Sequence, residues 1–309
     1  MLELVSSYSG DTSPEIKERI KLGFGQHQSF YLRTYWLRKA IQQLDNNRFF
    51  YEKDASELIG LGTNMVKSLK HWIEATDICE TDKRDSDNKV IHTISPFGQI
   101  FNAYDPYIEI NDTISIIHYH IVDSKEPSTT WYWFFNEYEK NSFVKEEAIK
   151  DLITWINKNY DSKNSTDTLE RDIDCLIKQY YSKNKSDDPE EVIQSPLAAL
   201  NLIEEVDGRI YKKNPKFEDI GLTALMYVLL KYGQSEISID EIETSKNLWG
   251  KVFNLQRSEI VRAIEQLVNA TKYPLVFDRT NRLDLVRVTL ANPIEFLKEE
   301  YVRKERALR

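Results

Sequence analysis

Three times along this chain, helix-forming stretches with apolar residues at three- and four-residue spacing run into a pair of short, β-branched, strand-like segments. That recurring order, which is a matter of pattern rather than repeated letters, limits the possible folds more than any other feature. It predicts a mainly α protein with small β wings, in which tandem winged-helix-like domains are joined by a helical, aromatic-rich connector. The expected boundaries are 1–95 for the first unit, 96–142 for the connector, 143–215 for the second unit and 216–309 for the third, which ends in a terminal helix. A length of 309 residues exceeds what one hydrophobic core usually serves, which also favours several units.

In the first unit a helix is expected from about Phe30 to Leu44, and a short one from Asp54 to Gly60. The next begins at Thr63 or Asn64. Its Met65, Val66, Leu69, Trp72 and Ile73 fall on one arc of about 120° at about 100° per residue. Asn64, Lys67 and His71 lie opposite, the face a helix needs if it packs behind and reads a DNA groove in front. In the second unit Leu169, Ile173, Leu176, Ile177 and Tyr180 mark the buried stripe of a helix opened by Ser165 or Thr166, with Arg171, Asp174 and Lys178 on the far side. The Asp207-Gly208 turn then suggests a wing offering Arg209, Lys212 and Lys213 to phosphates. The third unit's third helix, from Ser258 to Asn269, carries Arg262, Glu265 and Asn269, a mixed face less suited to DNA and as well suited to docking a protein.

Several function classes are unsupported. The chain has no G-x-x-x-x-G-K-[ST] loop, no strand-linked G-x-G-x-x-G, no H-E-x-x-H and no G-x-S-x-G. Cys79 and Cys175 stand far apart with no CxxC partner, so buried reduced thiols are expected rather than a zinc site. No apolar run is long enough to span a membrane and no secretory leader pattern is visible, so a cytoplasmic protein is expected. The formal charge of -9 argues against coating nucleic acid over the whole surface and leaves room for one local basic face.

A metal-dependent nuclease needs carboxylates converging on a divalent ion, here Mg²⁺ or Mn²⁺. Glu170, Asp172 and Asp174 are the first candidates, although on a helix Asp172 and Asp174 point about 200° apart. Asp105 with Glu109 is the second. His118 and His120 would share a metal only on a strand. Gly23 and Gly25 allow close backbone approach beside His27, a candidate proton shuttle or phosphate ligand, and Arg33 follows as a candidate DNA contact.

Five blocks, GFGQHQSFYLRTYWLRKA, LGLGTNMVKSLKHW, FNAYDPYIEINDTISIIHYHIV, TTWYWFFNEY and TLERDIDCLIKQYY, together resemble a domain-of-unknown-function family from bacterial DNA-sulfur modification and defence loci. The resemblance spans most of the chain. It implies a component of a DNA phosphorothioation system, similar to the DNA-nicking subunit of the single-strand-modifying version. The partners it implies are double-stranded DNA, a cysteine desulfurase, an ATPase and an ATP-pyrophosphatase-like sulfur transferase. A non-enzymatic DNA-binding adaptor or a transcription regulator of such a locus is the alternative, and a homodimer is open. Within the blocks fall His27, Arg33, Trp36, Asn64, Lys67, Glu170, Arg171 and Asp172. The first block departs from the pattern, since relatives carry an acid and a threonine after the histidine where this chain has Gln28 and Ser29, which weighs against cutting.

Overall fold

Of the polar helix starts read from the sequence, Ser165 caps its helix by accepting from the Thr168 N–H, while Asp54 makes no capping bond and the helix at Thr63 starts from Gly62. The computed structural model describes residues 21–82, 87–162, 164–181, 194–270, 272–273, 275–279 and 284–308. Among the described residues the protein is mainly helical with three small antiparallel sheets. The first run holds α1 (Trp36–Ile41), α2 (Ala55–Ile59), α3 (Thr63–Ala75) and a hairpin of β1 (Cys79–Asp82) and β2 (Ile91–Ile94). The helix expected over 30–44 shrinks to α1 because Gln28 and Ser29 take left-handed φ values of 50° and 67°, and because the Phe30 carbonyl is given to Ser68 and Trp72 instead of a helical N–H.

The aromatic-rich connector is helical, as expected: α4 (Pro96–Tyr104), α5 (Asn111–Val122) and α6 (Thr129–Asn136). Ser95 caps α4 by accepting from the Gly98 N–H at 2.8 Å, with Pro96 at the first position, where its missing N–H costs nothing. In α5 every residue from Asp112 to Val122 is buried, polar and apolar alike. The side chains that are polar pair across elements. Ser115 donates to Ile220 O at 2.8 Å, Thr113 meets Tyr301 at 2.6 Å, and His118 bridges the Tyr180 hydroxyl and Val252 O, both at 2.7 Å. These pairs make α5 the axis on which the other runs are fastened.

The next run is β3 (Ser142–Phe143), α7 (Lys145–Asn159), α8 (Thr166–Tyr180), β4 (Ile203–Val206) and β5 (Arg209–Lys212), with sheet order β3-β5-β4. The last holds α9 (Phe217–Ile220), α10 (Leu222–Tyr232), β6 (Glu236–Ser238), α11 (Ile239–Thr244), α12 (Trp249–Val252), α13 (Arg257–Asn269), β7 (Leu275–Arg279), β8 (Asp284–Val288) and the terminal α14 (Pro293–Leu308), with order β6-β8-β7. In both sheets the first strand pairs with the last, so each sheet closes the run that precedes it. Cys79 and Cys175 are free and buried, and burial raises both thiols above their usual range. Among the described residues no helix is long and apolar enough to cross a membrane.

Candidate functional site

Residues 23–30 form an irregular arm of consecutive turns that lies across three elements. Gly23 presses on the chain at Pro127, where a Cβ would sit 2.1 Å from the Pro127 carbonyl oxygen, and its N–H donates to Thr129 Oγ1 at 2.8 Å. Gly25, at φ 68°, turns the arm inward. At the far end the Phe30 carbonyl accepts from Ser68 Oγ at 3.2 Å and Trp72 Nε1 at 2.9 Å, both on α3. The arm therefore joins α3 to the start of α6.

Between these anchors His27 meets Asp172 of α8. Nδ1 of His27 accepts the Ser29 N–H at 3.0 Å, which puts the ring proton on Nε2, and Nε2 donates to Asp172 Oδ1 at 2.8 Å. The Gly25 N–H donates to the same oxygen at 2.8 Å, and Thr130 Oγ1 of α6 donates to Oδ2 at 2.8 Å. Both His27 and Asp172 are 1% exposed. Trp131, His71 and Trp72 wall the ring at centroid distances of 5.5, 6.2 and 6.4 Å. Burial, reinforced by the nearby His27, pushes His71 down to about 3. The His71 Nδ1 and Trp131 Nε1 atoms have no hydrogen-bond partner. Neither His27 nitrogen is spare, so in this arrangement the pair is a strut joining the arm, α6 and α8 rather than a proton relay.

The other candidate residues fall elsewhere. Glu170 and Asp174 share Lys145, at 3.2 and 2.7 Å, on the outer side of α8. Asp172 points inward from the same helix, so the three acids do not converge and Asp172 is not a solvated acid. Arg171 is exposed and folds back to Asp167 O and Thr168 Oγ1, while Lys178 is exposed near the C-terminal end of α8. Asn64 and Lys67 are exposed on the first turns of α3, but His71 is buried. It was placed on the outer face by periodicity, which fixes direction on the helix and not what covers it; here the arm and α6 do. Arg33 is half-buried, its guanidinium 5.5 Å from the Trp36 ring centroid.

The expected wing of the second run bonds its cations within the protein, and Lys212 is drawn inward. Lys212 donates to Phe134 O and Tyr138 O at 2.7 and 2.6 Å, closing the C-terminal end of α6, and burial pushes its amine down to about 7. Arg209 donates to Ser142 Oγ and Lys213 pairs with Glu204. Asp105 spends its two oxygens on the Glu109 and Ile110 N–H groups, so it organises a turn and is no partner to the Glu109 carboxylate. His118 and His120 sit on a helix and diverge, which removes the shared-metal reading. One cluster had no local signal at all: His120 lies 3.8 Å from Asp77 and 3.9 Å from Asp123, with the Tyr227 hydroxyl at 3.0 Å. Burial pushes Asp77 up to about 6 and Asp123 up to about 7.

The fold and the centre define a class: a three-run helical protein whose runs are locked to one another by an internal axis and a buried histidine–aspartate junction. The chain belongs to the DUF4007 family, described as proteins of unknown function, whose model matches residues 24–301. Two crystal structures of SspB share the fold. The magnesium ion-bound form is 19% identical and the other 20%; each has a TM-score of 0.81 and covers 92% of this chain and 87% of the SspB chain. No curated protein matches the chain.

A magnesium ion needs several oxygen ligands in near-octahedral array. Among the described residues no group of three or more His, Cys, Asp or Glu side chains is placed to hold a metal. Asp172 has both oxygens taken by N–H and O–H donors, and Glu170 and Asp174 hold a lysine. The acids singled out from the sequence do not fit a divalent cation.

Proposed function

We propose that this protein is a DNA-binding component of a bacterial DNA phosphorothioate modification system, acting in anti-phage defence. The five sequence blocks, the family match and the fold shared with SspB support that setting. The order helix, strand, helix, helix, hairpin occurs in α6-β3-α7-α8-β4-β5 and, with the short α12 added between the two helices, in α10-β6-α11-α12-α13-β7-β8, with the first strand beside the last in each. We read these runs as winged-helix units, with the first run a third unit lacking the leading strand among its described residues.

The observation that carries DNA binding is the first run's third helix. From Leu58 to Ile73 the sequence has no Asp or Glu, and Asn64 and Lys67 stand exposed on α3. The corresponding face of α8 presents Glu170 and Asp174, paired with Lys145 of α7, and α13 spends Arg257 and Arg262 on acids. Binding through α3 without cutting, as an adaptor for the desulfurase, ATPase and sulfur transferase of the locus, fits the acids as they are arranged.

Site-specific nicking is the second reading, favoured by one observation: an SspB structure of the same fold binds magnesium. Supercoiled plasmid incubated with the protein and Mg²⁺ or Mn²⁺, beside an EDTA control and a mobility-shift assay with linear duplex, tests both. Retarded duplex with plasmid left supercoiled supports the adaptor. Open circles that vanish with EDTA support nicking, and no retardation at low salt refutes DNA binding.

A further inference from the structure

Among the described residues two aromatic side chains stand largely in solvent, Tyr35 at 60% and Tyr107 at 41% exposure. They belong to different elements, yet Arg38 links them. Tyr35 is the N-cap of α1 and Arg38 follows three residues later, a spacing that places neighbours on one helix face. The Arg38 guanidinium lies 4.5 Å from the Tyr107 ring centroid, within cation–π range.

The turn between α4 and α5 is built to hold Tyr107 outward. Ile108 beside it is buried and takes φ 59°, a left-handed conformation that a β-branched side chain rarely adopts. The Asp105 oxygens, bonded to the Glu109 and Ile110 N–H groups at 2.9 and 3.0 Å, fix that turn. Strain of this kind persists where the surroundings over-determine it.

The charge around the platform is of one sign on its α1 side. Residues 27–44 include Arg33, Arg38 and Lys39 and no acid, in a chain with 50 acids among 309 residues. Glu109, two residues from Tyr107, is the flanking exposed acid. Trp36 and Leu37 beside Tyr35 are buried, so the apolar surface of a protein-docking site does not continue from these rings. Exposed rings interleaved with a guanidinium, on a locally cationic surface, match the chemistry of unpaired bases on a phosphate backbone.

We propose that Tyr35, Arg38 and Tyr107 form a stacking platform for unpaired bases of single-stranded DNA. The inference rests on the DNA-binding reading above and adds the form of DNA this surface takes. The test uses the full chain in fluorescence anisotropy with a labelled oligo-dT strand and, separately, a labelled duplex of the same length. The variants are Tyr35→Ala/Tyr107→Ala and Tyr35→Phe/Tyr107→Phe, with folding checked by circular dichroism.

Loss of a stacking ring weakens single-strand binding by roughly tenfold or more, so the alanine pair is expected to lose single-strand affinity, the phenylalanine pair to keep it, and both to bind duplex as the parent does. Unchanged single-strand affinity in the alanine pair, an equal loss of both forms, or a parent protein that binds duplex alone overturns the platform and leaves the proposed function standing. A parent that binds neither form overturns both readings.

Discussion

His27 Nε2 and Asp172 Oδ1 meet at 2.8 Å across 145 residues of sequence, buried at the crossing of the N-terminal arm, α6 and α8. The carboxylate takes three donors there, so Asp172→Ala strands the Gly25 N–H, the His27 ring and the Thr130 hydroxyl in a site closed to water. Stranding buried partners of a charged group costs about 3 kcal/mol or more. Glu170→Ala leaves Lys145 with Asp174 at a half-exposed site, and a change within about 1 kcal/mol is expected. Urea denaturation of the two variants compares them directly. Equal midpoints would refute the strut. A lost activity on changing Asp172 would therefore report lost structure, and cutting assays should rely on Glu170, Asp174 and EDTA.

Gly23→Ala tests the same junction without touching either residue. The added Cβ meets the Pro127 carbonyl, which is backbone and has no side chain to swing aside. The arm should lift and carry His27 with it. Limited proteolysis within residues 23–30 is expected to be faster in the variant than in the parent, and identical digestion patterns would show that the arm docks by other contacts.

Much of this architecture was legible because helices and hairpins are local. The Leu69, Trp72 and Ile73 stripe and the Leu169 to Tyr180 stripe each carry their own period, and the structure has them as helices with those residues buried, apart from the half-buried Ile177. His27 and Asp172 were both legible as chemistry-bearing residues, but not as partners, since nothing local in a loop histidine reports a helix 145 residues away. The same blindness put His71 and Lys212 outside. A period gives the angle between side chains on one element, and only tertiary contact decides whether a second element covers the polar side.

Three buried histidines make acid stability pH-dependent. Burial pushes His71 to about 3, His118 to about 4 and His120 to about 3, so between about pH 6.5 and 4 the unfolded chain takes up protons that the folded one refuses. Their contribution is complete above about pH 6.5 and declines as pH falls through that window. Asp77, pushed up to about 6 by burial and by Glu80, and Asp123, pushed up to about 7 by burial and by Asp77, each against the nearby Lys231, act in the opposite sense. The folded chain holds their protons where the unfolded chain has released them, so their contribution is lost as pH rises through the same range. Asp77→Asn/Asp123→Asn should therefore raise Tm at pH 8, leave it nearly unchanged at pH 4, and steepen the decline between pH 6.5 and 4. A parent and variant with parallel Tm profiles would show that the two carboxyls do not titrate as this burial requires.

The exposed face of α3 yields the sharpest solution test of the DNA-binding reading. Lys67 has its charge at the surface in a stretch without acids, so its contact would be with a phosphate and would carry no sequence preference. Lys67→Ala is expected to weaken duplex binding uniformly across sequences and to lower the slope of log affinity against log salt by about 1. Asn64→Ala, lacking a charge to lose, should leave that slope alone while flattening discrimination between sequences, because an amide reads a base edge through paired donor and acceptor atoms. Arg171→Ala on α8 is the control, since that guanidinium already bonds Asp167 O and Thr168 Oγ1 beside Glu170. If Arg171→Ala changes the salt slope and Lys67→Ala does not, the DNA face belongs to the second run, and α3 is an ordinary solvated helix.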